Sequence, residues 1–220
     1  MTALWTPKPD WRDPPRDCGL CPRLAGFRHD NRQSFPDWYN GAVPAFGVQD
    51  PVLLVVGLAP GLRGANRTGR PFTGDYAGDL LYPTLLKFGF AKGSYGADPS
   101  DGLQLIDAVI TNAVRCVPPQ NKPTPEEART CGQFLSVEIA AYKNLKAIVA
   151  LGRVAHEAVL RTLGLKVALY TFGHGACHDL PGGVRLYDSF HCSRYNTNTG
   201  RLTTAMFEDV FSAVQKHVKG

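Results

Sequence analysis

Asp75 and His191 are the side chains of this sequence best equipped to break a bond in a bound ligand. A carboxylate can stabilise a cation or orient a water, and an imidazole can stabilise a developing anion. Asp75 closes a glycine-rich stretch that begins Gly57-Leu58-Ala59-Pro60-Gly61 and runs on through Gly64, Arg67, Gly69, Arg70, Phe72 and Gly74. His191 opens the segment His191-Cys192-Ser193-Arg194-Tyr195-Asn196. A glycine-rich turn lets backbone N–H groups approach a phosphate or a flat ring, and Phe72 adds a stacking face. These residues read as equipment for holding a nucleotide and cleaving a bond in it. Taken locally, Asp75 also reads as the N-cap of the helix that follows.

Four cysteines form a second constellation. Cys18 and Cys21 make a C-x2-C pair, and Cys116 is separated from Cys131 by 14 residues. Four thiolates so arranged suit a [4Fe–4S] cluster or a structural zinc, and the spacing leaves both open, along with a plain core role for Cys131. Cys177 and Cys192, with His174, His178 and His191, match no closed zinc pattern. A metal reading is favoured over disulfides if the chain resides in a reducing compartment, and the sequence points that way. It has no apolar run of membrane-spanning length, and Met1–Asp17 is rich in Pro, Trp and Arg with no apolar core of a signal peptide. A cytoplasmic protein is expected. The net charge of +5 permits a polyanionic partner without demanding one.

The elements that must position these groups are legible in outline. Short, continuous apolar runs at Pro51–Val56, Ile106–Ile110 and Ala147–Leu151, with a weaker one at Val184–Ser189, predict four strands buried on both faces. Helices are expected over Asp75–Lys87, after Pro123, over Arg153–Leu163 and over Arg201–Lys216. The second has Thr124 as N-cap, Pro125 in the first position and Glu127 completing a capping box. Alternating strands and helices predict an α/β fold with a mostly parallel four-stranded sheet, in one domain over residues 1–220. Cys18–Gly47 reads as irregular and wrapping that domain. The first glycine-rich turn follows a strand end, where open parallel sheets bind ligands.

The motifs, taken in order, resemble the uracil-DNA glycosylase superfamily, and within it the cluster-containing branch called family 5. Gly57–Gly61 leading into Gly69–Asp75 is similar to the first active-site motif of that branch. Thr111-Asn112-Ala113-Val114-Arg115-Cys116-Val117-Pro118-Pro119 resembles its central motif, and His191-Cys192-Ser193 with Asn196–Leu202 resembles the second active-site motif. The resemblance implies a three-layer α/β/α fold and a [4Fe–4S] cluster on Cys18, Cys21, Cys116 and Cys131. It implies a monofunctional enzyme acting as a monomer on DNA that contains deaminated bases.

The resemblance also assigns roles. The target nucleotide is flipped into the crevice, where Gly57, Leu58, Ala59, Gly61, Phe72 and Asn112 form the base site. Phe72 stacks on the base and Asn112 reads its polar edge. His191 stabilises the departing base, while Asp75, kept ionised by the helix N-terminus, stabilises the sugar cation or orients water, helped by Asn121. Arg63, Arg67, Arg70 and Ser193 meet phosphates, Arg194 and Tyr195 lie where the superfamily fills the gap left by the flipped base, and Asn196 is a further DNA-binding residue. Classical members carry Asp where this chain has Ala59 and Tyr where it has Gly61; family 4 carries Glu at Leu58. Gly61 therefore implies a roomy pocket open to uracil and to larger bases such as hypoxanthine or xanthine. The bare Leu58-Ala59 pair is the one feature that favours a non-catalytic DNA-binding protein on the same fold.

Overall fold

The computed structural model describes residues 12–220, so most of the Met1–Asp17 segment lies outside the described residues. Along the chain run α1 (Pro22–Ser34), β1 (Phe46–Gly47), β2 (Leu53–Gly57), α2 (Ala65–Thr68), α3 (Tyr76–Lys87), β3 (Ala91–Lys92), β4 (Gln104–Leu105) and β5 (Ala108–Asn112). Then come α4 (Pro125–Ala141), β6 (Ala147–Leu151), α5 (Arg153–Thr162), β7 (Cys177–Asp179), β8 (Arg185–Ser189), α6 (Arg194–Asn198) and α7 (Thr204–Lys219). The main sheet has the order β1-β5-β2-β6-β8-β7. Its four inner strands are parallel and its two edge strands antiparallel.

The four-stranded expectation thus becomes a six-stranded sheet. The four predicted strands are its parallel centre. The additions are edge pieces of two and three residues, too short and too exposed to print an apolar run. β2, β5 and β6 are buried at every position, as two-sided coverage requires.

Alternate residues of these strands point to two separate cores. On one face, Leu53, Val55, Ile110 and Val149 pack with Leu81 and Leu85 of α3 and Phe207, Phe211 and Val214 of α7. On the other, Leu54, Val56, Val109, Ile148 and Leu186 pack with Leu135 of α4 and Ala155 and Val159 of α5. The three-layer α/β/α arrangement follows. Among the described residues no helix is long and apolar enough to cross a membrane.

Two local expectations need correction. Cys18–Gly47 is not wholly irregular, because Pro22–Ser34 forms the 13-residue α1. That helix carries no apolar stripe; only Leu24, Arg28 and Asn31 are buried, so hydrophobic periodicity could not reveal it. The predicted Arg201–Lys216 helix begins instead at Thr204, capped by the Thr203 hydroxyl. By contrast the Thr124 capping box is present in full, with the Thr124 and Glu127 side chains each bonded to the other's backbone N–H.

Candidate active site

The chain runs from β2 outward to β5 and then back past β2 to β6 and β8, so the strand order reverses beside β2. Crevices at the C-terminal strand ends beside such a reversal are where open α/β sheets hold ligands. The register pairs Gly57 with Asn112 at the ends of β2 and β5, and β8 delivers His191 two residues past its own end. A small, partly open cavity lies there, lined by Ala59, Pro60, Gly61, Ala65, Phe72, Asp75, Ala77, Asn112 and His191. Six of the residues singled out in the sequence converge on it. Gly57 lies beneath it: a Cβ on Gly57 would sit 2.4 Å from Asn112 Oδ1 and 2.5 Å from Phe72 Cζ. Leu58 does not line the cavity; its carbonyl accepts the Val114 N–H and ties the loop to the strand end of β5.

Asp75 occupies the N-cap position of α3, yet its side chain makes no capping hydrogen bond. The carboxyl turns into the cavity instead, and its Oδ1 is buried with no hydrogen-bond partner. That oxygen is an uncompensated acceptor in a concave site, the condition expected of a functional carboxylate, although the carboxyl stays within electrostatic reach of the first-turn amides. Burial pushes its pKa above the ordinary value; the Gly78 and Ala77 amides of the first helical turn pull it down only in part.

Phe72 adopts a left-handed backbone (φ 53°), a costly conformation for a bulky residue. Its carbonyl accepts from the Tyr95 hydroxyl at 3.3 Å. Its ring lies 6.0 Å from that of His191, at 26°. Tyr95 carries no motif that a sequence reading could have flagged. Burial, unopposed by any neighbouring charge, depresses the His191 pKa to about 4, so the imidazole is neutral at physiological pH. Asn196 donates its side-chain N–H to the His191 carbonyl at 2.8 Å, which makes it a brace for that loop rather than a free contact residue.

On the far side of Ala59 lies the cysteine constellation. Cys18, Cys21, Cys116 and Cys131 come together with Leu24, Val114 and Phe134, and Ala59 packs against the same cluster. The four cysteines line one small hollow. All six cysteines of the described residues are free thiols. Cys116 Sγ accepts from Arg28 Nη1 at 2.9 Å and Cys131 Sγ from the Arg115 backbone N–H at 3.3 Å. Two of the four sulfurs thus have N–H donors aimed at them, and four cysteines around one hollow form a donor set that suits a thiolate-bound centre. Arg115 itself is buried between Asp13 and Glu138, at 2.7 and 2.5 Å.

A different cluster, His156, His178 and Asp188, also has metal-ligand chemistry. His156 faces the Tyr170 carbonyl at 2.9 Å through Nε2 and Asp188 at 2.8 Å through Nδ1, and His178 reaches the other Asp188 oxygen at 3.2 Å. Every Asp188 oxygen and both His156 nitrogens are therefore engaged within the protein. Burial alone would lower the His156 pKa, but the hydrogen bond and charge of Asp188 outweigh it and raise the pKa. The group closes as a hydrogen-bonded histidine–carboxylate cluster.

Comparison with known proteins agrees with this geometry. The family model of the uracil DNA glycosylase superfamily matches residues 44–215. The chain belongs to the uracil-DNA glycosylase superfamily. It is 45% identical to a type-5 uracil-DNA glycosylase of Thermus thermophilus, over 90% of this chain and 93% of that one. It is 39% identical to a type-5 uracil-DNA glycosylase of Pyrobaculum aerophilum, over 88% and 86%. A type-4 uracil-DNA glycosylase of Thermotoga maritima is 33% identical, over 90% and 88%.

Relative to the superfamily reading, the remaining site residues separate into two groups. Arg63 and Arg67 are exposed on the first loop, and Arg194 and Tyr195 are exposed on α6, Tyr195 being 72% accessible. Ser193 caps α6 by accepting from the Asn196 N–H, which leaves its own hydroxyl proton free to donate. Arg70 is the correction. It is 1% exposed and forms a two-pronged ion pair with Asp101 at 2.8 and 2.7 Å, surrounded by the rings of Phe46, Tyr82 and Tyr95. It cannot reach a phosphate; it anchors the segment that carries Phe72. Asn121 is exposed on a left-handed turn (φ 57°) and does not line the cavity.

Proposed function

We propose that this chain is a monofunctional DNA glycosylase that hydrolyses the N-glycosidic bond of uracil in DNA. The observation that carries the reading is the convergence of Asp75, His191, Phe72 and Asn112 on one cavity at the sheet's strand ends. The type-5 relatives named above support the same activity.

In this reading the nucleotide flips out of the duplex and its base enters the cavity. Phe72, already held in its strained backbone, offers its face to the base, so little ordering remains to be done on binding. The Asn112 side chain, buried and without a hydrogen bond among the described residues, is free to donate to and accept from the base edge. As the glycosidic bond lengthens, negative charge gathers on the base and positive charge on the sugar. Neutral His191 donates an N–H to a base oxygen and stabilises the anion without proton transfer. Ionised Asp75 faces the cation and orients the attacking water. Asn121 serves that water only if DNA binding brings its turn over the cavity.

Ala59 and Gly61 offer no polar atoms to the base, so discrimination rests on few contacts. The pocket then also admits hypoxanthine and xanthine. Arg63, Arg67, Ser193 and Arg194 hold the backbone, and Tyr195 fills the gap in the stack. Cys18, Cys21, Cys116 and Cys131 would hold a [4Fe–4S] cluster, whose contribution is to cross-link the segment before α1, the end of β5 and α4 behind the pocket wall.

The test is excision from a labelled duplex carrying uracil opposite guanine, read by alkali cleavage of the abasic site. Cleavage that collapses in Asp75→Asn supports the reading. DNA binding without cleavage of uracil or hypoxanthine would replace it with a non-catalytic DNA-binding protein.

A further inference from the structure

Three arginines of the described residues are buried, and two of them are neutralised by carboxylates. Arg70 meets Asp101, and Arg115 meets Asp13 and Glu138. The third, Arg28, is 4% exposed and has no carboxylate within ion-pair distance among the described residues; exposed Asp17 feels its charge but is bonded to Arg32. Its Nη1 donates to Cys116 Sγ at 2.9 Å and its Nη2 to the Cys18 carbonyl at 2.8 Å, while its Nε is buried with no partner at all. A guanidinium stays charged under all ordinary conditions. Burying that charge without an anion is strongly unfavourable, so native proteins do not retain it unpaired.

The missing anion is the cysteine centre. Four thiolates around a [4Fe–4S] cluster carry net negative charge, and Arg28 spans two of the four ligand residues, Cys18 through its carbonyl and Cys116 through its sulfur. We propose that Arg28 is the internal counter-cation of the cluster, holding its reduction potential up and retaining it in the protein. Adding an electron to an already anionic centre is favoured by a fixed positive charge at the ligand sulfur, and hydrogen bonds to ligand sulfurs act in the same direction. Arg28 comes from α1, so the same contact fastens that otherwise polar helix to the end of β5. This inference rests on the cluster reading above.

The test uses the full chain purified without oxygen, with iron and sulfide assayed per protein and the cluster titrated electrochemically. Variants are Arg28→Gln, which keeps an N–H donor but loses the charge, Arg28→Lys, which keeps the charge, and Arg129→Gln, an exposed charge loss on α4. Arg28→Gln is expected to disfavour reduction on the order of tenfold in the equilibrium constant, about 59 mV for one electron. It should also bleach faster in air, while Arg28→Lys stays closer to wild type and Arg129→Gln does not move. Iron-loaded Arg28→Gln with the wild-type potential and bleaching rate overturns the inference and leaves the cluster reading standing. Wild-type protein without iron and sulfide overturns both. Should Arg28→Gln come out without iron, Arg28→Lys decides: loading near the wild-type potential supports the counter-cation, and folded protein without iron refutes it.

Discussion

A Cβ placed on Gly61 would stand 3.0 Å from the Oδ2 of Asp75, and one on Gly64 would stand 2.2 Å from it. Both glycines therefore clear space for one carboxylate, not only for a bulky base. The resemblance drawn from the sequence implies a Tyr at the position of Gly61 in classical members, where it would restrict the base. In this chain a ring there would collide with Asp75 first. Gly61→Tyr is expected to abolish excision of uracil as well as hypoxanthine, instead of narrowing the enzyme to uracil. Gly61→Ala, which asks Asp75 to give by a few tenths of an ångström, should cost on the order of 10- to 100-fold in single-turnover rate. Retained uracil cleavage in the Tyr variant, measured on the two duplexes side by side, would contradict this.

Asp75→Asn should lose roughly 10²- to 10⁴-fold in rate and gain stability at neutral pH. The Asp75 pKa is raised in the folded protein, chiefly by burial. The folded state then holds this proton more tightly than the unfolded chain, so wild-type stability falls as pH rises from the unfolded value through the raised one. The melting temperature of Asp75→Asn should exceed that of wild type near pH 7, with the gap closing as pH is lowered. The acid limb of the wild-type pH–rate profile should lie above the ordinary Asp value. A variant less stable than wild type at neutral pH would mean the carboxylate is held by contacts rather than by function.

That freedom of Asp75 was only partly legible from the chain. Its place before an amphipathic helix reads locally as a cap, because the signal for capping is local. What overrides it is Gly61 and Gly64, brought close by the turn that follows β2. The same distinction runs through the fold. The capping box at Thr124 and the apolar runs of β2 and β6 depend on neighbours a few residues apart, and each appears where the sequence predicts it. The polar α1 is fastened by Arg28 to Cys116 and by Arg23 to Glu127, 88 and 104 residues away, so no periodicity announces it. Arg70 looked like a loop cation because Asp101 lies 31 residues downstream.

His191 provides a separate pH prediction. Its pKa is depressed to about 4 by burial, so no ionisation of this residue should appear between pH 6 and 8. His191→Ala should lower the single-turnover rate by roughly 10²-fold or more at every pH in that window. A wild-type profile that switches near the ordinary histidine pKa, and loses that switch in the variant, would assign His191 to proton transfer instead.

The buried His156–Asp188 pair should show in stability rather than in rate. His156 has a raised folded pKa because the attraction of Asp188 outweighs burial. Its stabilisation is therefore fully present below the unfolded histidine value and is lost as pH rises through the folded one. Thermal melts of wild type against His156→Gln should converge as pH increases from about 6, while an unchanging difference would show that packing, not charge, supplies its contribution.

Arginines of the first loop should divide by mechanism. Arg63 and Arg67 are exposed and free to meet phosphates, so Arg63→Gln and Arg67→Gln should each weaken DNA binding and lower the salt slope by about 1. Neither should change the melting temperature much. Arg70→Gln removes the cation from a buried pair and leaves Asp101 charged between Gly96 and Leu103 amides. Removing one partner of such a pair costs roughly 3–5 kcal/mol, and it loosens the segment that sets Phe72 against the base. The signature is a large drop in melting temperature with an unchanged salt slope in whatever protein remains folded. A reduced slope with wild-type stability would return Arg70 to the DNA interface, which its burial against Asp101 argues against.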